Sequence, residues 1–431
     1  MMQGSATKQA SPVISFSNDP WPDYRGPQMC GHSPAKTAPV KWSELKGLAW
    51  KTALPNEGFS SPAITNNLAW MTHADPKGAE QWAIAVDINT GKIIHNIKLF
   101  TNTSPEPLGT DGNTYASPSV VSSSGRVFVH FGTYGTAALD AKSGKVLWTR
   151  RDLNCQHYRG PGSSPVIYGN LLICTYDGID TQFVAALDVR SGATVWKTAR
   201  SIDWNIGKSN EVIPDMRKAY STPIVVKRSG QDELITVGAR AFIAYDPKTG
   251  RELWKVRHGG YSNAARPVVG NGMLYVNSGF DQPEIFALPF DKPGPLTDAD
   301  IAWQHRRGVG PLCSPLATDG LLFIPADSDF LRCLDGKTGQ DLWSERLGGR
   351  YYASPLLVGG LLYLFADNGK TTVVKPGRTF EKVAENFLDV GPRAIVASGE
   401  HSGPTPRRCC HAISESVSGP GLSNGSAKIS G

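Results

Sequence analysis

The sequence predicts an all-β chain folded as a β-propeller of four-stranded antiparallel blades, and three observations carry that prediction. Asp, three residues, Gly, and a bulky residue eight places after the Asp recur five times, at Asp87–Gly91–His95, Asp140–Gly144–Trp148, Asp188–Gly192–Trp196, Asp246–Gly250–Trp254 and Asp335–Gly339–Trp343. A small residue followed by Pro opens an apolar run at Ser61-Pro62, Ser117-Pro118, Ser164-Pro165, Thr222-Pro223, Ser314-Pro315 and Ser354-Pro355, with Arg266-Pro267 in the same place. No segment shows a helical period, whereas the apolar runs return every forty to sixty residues or so, the period of propeller blades.

Each repeat reads as four strands. Pro is tolerated at the start of a strand, where its missing N–H need not join a ladder, so each small-residue–Pro pair marks a first strand. A Gly- or Asn-bearing turn leads to a second apolar run, as at residues 68–71, 127–129 and 361–365. The third strand precedes the Asp (residues 82–86 and 183–187) and is rich in apolar residues. Asp and Ser/Thr side chains bond nearby backbone N–H groups and Gly supplies a positive φ, so the Asp–Gly pair forms a tight turn. A short fourth strand then ends on the aromatic residue, whose first reading is packing.

Fourth strands fall near Trp50, His95, Trp148, Trp196, Trp254, Trp303, Trp343 and Val383, which makes eight, against seven first strands. A lone fourth strand near Trp50 makes sense if it completes a blade begun by the C-terminus, a closure that joins the chain ends and removes open edges. The prediction is eight blades with a composite, incomplete last one; the alternative is seven blades plus an appended strand. Residues 287–291 replace the Asp–Gly turn of blade 5 with a Pro-bearing insertion. Three regions result: an N-terminal extension over 1–44, the propeller over 45–390, and a Ser/Gly/Pro-rich tail over 391–431 whose composition is that of a disordered or frame-shifted segment.

The string Ala-x-Asp-x-x-Thr/Ser-Gly-Lys-x-x-Trp resembles the docking motif of pyrroloquinoline-quinone (PQQ)-type propellers. Trp21 to Pro27, then Gly31, His32 and Trp42, resemble the opening of PQQ-like repeat proteins of planctomycetes and related bacteria. The resemblance spans about residues 20–390. It implies the fold but not the cofactor, because the superfamily joins quinoprotein dehydrogenases to the lipoprotein propeller of outer-membrane assembly. It also implies a periplasmic or otherwise extracytoplasmic location. The first residues lack the apolar core of a signal peptide, so the start is expected to be internal to the gene.

Composition excludes several classes. A formal charge of +6 over 431 residues is spread among mixed charges and suits a solvated surface rather than a nucleic-acid footprint. There is no phosphate-binding glycine loop, HExxH or GxSxG, and the histidines lack metal-ligand spacing. Seven cysteines at irregular spacing argue against a full disulfide framework. Cys174, Cys313 and Cys333 sit in apolar strand contexts and are expected to be small core residues, with a Cys313–Cys333 bridge as the alternative for the latter two. The adjacent Cys409 and Cys410 invite comparison with the vicinal disulfide of quinoprotein dehydrogenases, but they fall in the aberrant tail.

The segments that cross into each first strand do not reduce so readily to packing. They concentrate Tyr115, His157, Arg159, Arg217, Lys218, Tyr220, Arg266, Tyr351 and Tyr352 at one topological location, the mouth of the channel. Loops on a rigid scaffold carry binding residues, and Arg forms bidentate bonds to carboxylate or phosphate. The expectation is a monomer that presents these residues to a protein or a small anionic or polar ligand, without nucleic acid, metal or resident cofactor. The alternative reading of these loops is that they bridge blades. Among functions, the alternatives are a PQQ- and Ca²⁺-dependent dehydrogenase and a propeller hydrolase.

Overall fold

In a computed structural model of the chain, residues 13–15, 17–109, 112–202, 204, 214–326 and 328–389 are described, together with the backbone of 408–412. Seven four-stranded antiparallel sheets follow one another in chain order, each paired in sequence order from first strand to fourth. Blade 1 consists of Ala63–Thr65, Leu68–Ala74, Glu80–Asp87 and Ile93–Thr101, and blade 2 of Val121–Ser123, Arg126–His130, Thr136–Asp140 and Val146–Arg150. Blade 3 is Val166–Tyr168, Leu171–Asp177, Gln182–Asp188 and Thr194–Ala199; blade 4 is Ile224–Arg228, Gln231–Gly238, Ala241–Tyr245 and Glu252–Arg257. Blade 5 is Val268–Gly270, Met273–Ser278, Glu284–Pro289 and Trp303–His305, and blade 6 Leu316–Thr318, Leu321–Pro325, Phe330–Asp335 and Asp341–Arg346. Blade 7 is Leu356–Val358, Leu361–Phe365, Lys370–Val374 and Lys382–Phe387. In the eighth position Trp50–Leu54 pairs antiparallel with Arg408–Ala412, so a two-stranded sheet joins the N- and C-terminal parts of the chain. The rest of the tail, and the side chains of Cys409 and Cys410, lie outside the described residues. No described helix is long and apolar enough to cross a membrane.

All eight fourth strands begin or run where the aromatic register places them, and the turn chemistry explains why. In blade 1, Asp87 Oδ1 accepts the N–H groups of Asn89 (3.0 Å) and Thr90 (2.8 Å) and the Thr90 hydroxyl (2.9 Å), while the Gly91 N–H donates to the Asp87 carbonyl. Asp140, Asp188 and Asp335 repeat the arrangement. The Arg378 guanidinium at Asp335, and the turn hydrogen bonds in all four, hold these carboxyls below their ordinary range.

The glycine answers to a neighbour as well as to its own φ. A Cβ on Gly250 (φ +72) would sit 2.5 Å from the Trp196 ring, and one on Gly192 (φ +73) 2.7 Å from Trp148. Four indoles cover the next blade's turn and donate to the carbonyl just after the Asp: Trp50 to Ile88 (2.8 Å), Trp148 to Val189 (3.1 Å), Trp196 to Pro247 (3.1 Å) and Trp303 to Gly336 (3.2 Å). Trp343 donates to Gly377 (3.1 Å) in the Asp-free turn of blade 7. His95 reaches one residue farther, bonding the Lys142 carbonyl at 3.0 Å, while the Ala141 carbonyl just after Asp140 receives the Trp70 indole at 3.2 Å. Blade 5 has no such turn, and Trp254, which faces it, donates instead to Glu233 Oε2 within its own blade at 2.8 Å. Gly250→Ala should therefore cost about 2–4 kcal/mol, left-handed strain plus overpacking. Gly230→Ala, at φ +82 with no heavy atom within 4 Å of the new Cβ, should cost only the backbone share of about 1–2 kcal/mol. Urea midpoints at unchanged slope measure both.

The first strands form the inner ring, since it is they that approach one another from blade to blade. The residue two places before each first strand closes this ring by hydrogen bonds. Ser61 N–H donates to Ser119 Oγ, Ser119 N–H to Ser164 Oγ and Ser164 N–H to Thr222 Oγ1, each at 2.9 Å; Arg266 N–H to Ser314 Oγ (2.9 Å) and Ser314 N–H to Ser354 Oγ (3.0 Å) continue it. In blade 2 the residue in this position is Ser119, two places later than the Ser117-Pro118 register expected from sequence. Arg266 cannot accept a hydrogen bond, so the Thr222 step is replaced by Ser221 Oγ donating to the Ala265 carbonyl (2.8 Å).

The N-terminal extension threads this ring. Ile14 N–H bonds Val225 of blade 4, Trp21 bridges Ile64 of blade 1, and Ser122 N–H of blade 2 donates to the Pro22 carbonyl. Arg25 then donates to the carbonyls of Pro315 (2.9 Å) and Pro355 (2.7 Å), ahead of blades 6 and 7, and His32 bridges Leu357. Trp42 packs against Tyr363, Val373 and Ala384 on blade 7 before the chain reaches the eighth position. With Asp23 meeting Arg266 ahead of blade 5, the extension is a strap tied to six blades.

Neither cysteine of the candidate bridge is disulfide-bonded. Cys313 Sγ donates to the Tyr351 carbonyl at 3.0 Å, whereas Cys333 Sγ lies 3.8 Å from the Gly377 carbonyl. Successive blade cores make each thiol a packing atom between sheets rather than half of a staple.

Candidate binding site at the channel mouth

The sequence-derived residues separate into three places. Arg266 lies in the inner ring, 0 % exposed, and its Nη1 meets Asp23 Oδ1 of the strap at 2.6 Å. Its Nε and Nη2 donate to the Pro223 carbonyl at 3.0 and 2.8 Å. The guanidinium expected to receive a ligand is therefore occupied by the chain's own carboxylate and a neighbouring carbonyl. Tyr351 and Tyr352 lie ahead of blade 7. Tyr351 is buried with its hydroxyl 3.3 Å from the Gly348 carbonyl and 3.2 Å from Thr372 Oγ1, and Tyr352 lies under the Arg350 guanidinium.

The other six converge where blades 2, 3 and 4 are entered. Arg159 Nε lies 3.7 Å from Asp215 Oδ1, and its guanidinium covers the Tyr158 ring at 5.1 Å. The Tyr158 N–H donates to Glu106 Oε2 (3.0 Å), and Tyr115 Oη donates to the Glu106 carbonyl (2.6 Å). Arg217, on the short 3-10 turn Pro214–Arg217, covers the Trp204 ring at 5.5 Å and reaches the Ile179 carbonyl. Lys218 lies 4.9 Å over the Tyr220 ring. Two acids that the sequence reading did not single out, Glu106 and Asp215, thus complete the cluster. The signal for Glu106 was the long Pro-bearing connection between blades 1 and 2 (residues 102–120), which only a structured or functional loop of that length explains.

Burial then divides these six. Tyr158 is 40 % exposed and the Arg159 side chain 35 %, and Arg217 and Tyr220 are half-buried. Tyr115, His157 and Lys218 are sealed beneath them. Lys218 Nζ donates to the Asp177 carbonyl at 2.7 Å, and burial lowers its pKa. His157 Nε2 accepts the Thr133 N–H at 3.0 Å; burial, then the charge of Lys218, holds its pKa well below the ordinary range. That imidazole is neutral with its acceptor nitrogen engaged, so it is no general base. The neighbouring Cys155 thiol is pushed up to about 12 by burial, which leaves it unreactive at neutral pH. Burial likewise raises the Tyr220 phenol. What faces solvent is a mixed polar and aromatic surface built of Tyr158, Arg159, Asp215, Arg217 and Tyr220.

A quinone held by Ca²⁺ would need clustered oxygen ligands along the channel. There the described residues place Asp23, Arg25 and Arg266, already bonded to one another or to carbonyls. Among the described residues no three His, Cys, Asp or Glu side chains converge as metal ligands. The residues present do not fit that group.

Comparison with known proteins places this geometry. Over 247 residues, 54 % of the chain, it is 22 % identical to tetrathionate hydrolase of Acidithiobacillus ferrooxidans, and the matched region spans about half (48 %) of that relative's length. The BamB structure from Moraxella catarrhalis superposes with a TM-score of 0.54 at 14 % identity, covering 79 % of this chain and 90 % of that one. Quinohemoprotein alcohol dehydrogenase from Comamonas testosteroni gives 0.58 at 12 % identity, covering 90 % and 75 %. At such identities these likenesses show a shared propeller fold. The family described as outer membrane protein assembly factor BamB matches residues 40–179, 180–312 and 296–375. With its repeated turns, its docked indoles and a match along most of its length, the chain belongs to this family of PQQ-like β-propeller repeat proteins.

Proposed function

We propose that this protein is a non-enzymatic binding propeller that presents its channel-mouth face to a protein partner outside the cytoplasm. The observation that carries the reading is the strap. With Asp23 bonded to Arg266 in the inner ring, the recognition surface left to solvent is the face around Tyr158, Arg159, Arg217 and Tyr220. Aromatic and Arg side chains on such a face are the residue types that anchor protein interfaces. The description of the family as an assembly factor of outer-membrane proteins accords with a protein partner and an extracytoplasmic location. The small polar or anionic ligand also expected from sequence would meet the same cations.

Two measurements test this reading. Incubation with PQQ and Ca²⁺, followed by absorption spectroscopy and an alcohol oxidation assay, should give neither stoichiometric uptake nor turnover; both together would establish the dehydrogenase alternative. Replacing Arg159 and Arg217 together by Ala should lower the melting temperature by only about 1–3 °C, as for partly exposed side chains. A fall beyond about 6 °C would assign them to holding blades together instead.

A further inference from the structure

On the same face but farther from the axis, blade 4 meets the chain leaving blade 3 and the insertion of blade 5 around a groove of about 510 Å³. Its walls carry the cations Arg240, Lys255 and Arg257, a single carboxylate, Asp298, and the apolar side chains of Ile202 and Ala241. We propose that this groove binds a small organic anion, a phosphate or sulfonate group on a compact apolar body, with Arg240 as the residue that takes the charge.

The three cations are not equivalent. Arg257 is paired with Asp298 at 2.7 Å, and Lys255 with Glu252 at 3.3 Å as well as with Ser201. Arg240 donates to the Gly259 carbonyl at 2.8 Å and touches Met216 Sδ at 3.7 Å; no carboxylate among the described residues pairs with it. It contributes the groove's uncompensated charge, beside walls that exclude water from one side.

The backbone supplies an independent observation. The residue just before the third strand has positive φ in several blades: Gly135 in blade 2, Asp329 in blade 6 and Gly369 in blade 7. Gly, Asn and Asp are the residues that meet this demand with least strain. Blade 4 places Arg240 there, at φ +66. A strained position held by a long cation where glycine would serve points to use of the guanidinium. The groove's volume lies in the range of small-molecule sites, and Ile202, Ala241 and Ala299 give its charged lining an apolar portion. Arg suits a tetrahedral oxyanion because its planar fork gives two parallel N–H donors.

Glycine substitution provides a test that a purely structural role would fail. Calorimetric titration at low salt should show phenyl phosphate or benzenesulfonate binding with one-to-one saturation, and inorganic phosphate more weakly. Arg240→Gly should weaken the aromatic anion at least about tenfold while leaving the unfolding midpoint unchanged or raised. Arg240→Lys should retain binding to within about tenfold as a point charge. Absence of saturable binding to the wild-type protein up to about 10 mM overturns the proposal, as does unchanged affinity in Arg240→Gly. Equal affinity for inorganic phosphate overturns the part played by the apolar walls. Arg159 and Arg217 lie outside the groove, so failure here leaves the partner surface standing, and the reverse also holds.

Discussion

Asp23→Ala should destabilise the protein by about 3–5 kcal/mol, the range for stripping one partner from a buried ion pair. Arg266 is 0 % exposed and Asp23 2 %, with 2.6 Å between their charged atoms, so removal of the carboxylate leaves a buried guanidinium with the Pro223 carbonyl and the Tyr24 ring but no counter-charge in contact. Asp23 Oδ1 also accepts the Arg25 N–H at 2.8 Å, which shapes the bend that sends Arg25 toward blades 6 and 7. The loss should therefore reach beyond one contact and release the strap. Trypsin gives the second readout. Arg25, 1 % exposed, should resist cleavage in the wild-type protein and become a cut site in the variant. Asp19→Ala provides the control, because Asp19 receives two neutral hydroxyls, of Thr65 at 2.7 Å and Ser17 at 3.1 Å, from a partly exposed position; it should cost about 1 kcal/mol. A cost for Asp23→Ala as small as the control's would mean that the strap is held elsewhere and that the ring does not depend on it.

The strap also marks the boundary of what sequence could reveal. The blades were legible because their signals are local: an Asp that caps its own turn, a Gly obliged to positive φ, an aromatic eight residues on. Even the missing turn of blade 5 was visible, and the structure shows its consequence in the reoriented Trp254. The pairing of Asp23 with Arg266 spans 243 residues, and no local pattern announces it. Arg266 therefore read as a free cation in a channel loop. Lys218, His157 and Tyr115 lie on segments that enter blades 4, 3 and 2, yet they are sealed, because burial depends on how loops from three blades stack, which side-chain type does not encode. The relay of hydroxyls around the inner ring was half visible as Ser–Pro pairs. Its register slipped at Ser119 because Pro118, the cue, stands one residue before the functional position rather than after it.

Acid should begin to destabilise this protein before its carboxylates titrate. Burial holds His130 and His258 down to about 3 and His157 well below its ordinary value of 6.5. The hydrogen bonds specify the neutral form. Gly260 N–H donates to His258 Nδ1 at 3.0 Å while Nε2 serves the Gly238 carbonyl, and Thr133 N–H donates to His157 Nε2. A proton on either accepting nitrogen would face another N–H. The unfolded chain binds these protons below about pH 6.5 and the native chain does not, so the stability is complete above 6.5 and falls as pH drops toward 3. Three such groups give a slope near three protons, about 4 kcal/mol per pH unit, enough to exhaust an ordinary stability of 5–15 kcal/mol between about pH 5 and 3. The turn carboxyls of Asp87, Asp140, Asp188 and Asp335 have the depressed values usual for hydrogen-bonded acids, and their contribution is lost only as pH falls below about 3.8. Urea midpoints followed from about pH 7 down to about pH 3.5 separate the two causes. A fall confined to pH below about 4 would assign acid sensitivity to the turns, whereas a slope already present at pH 5.5 and reduced by one proton in His258→Gln would assign it to the buried imidazoles.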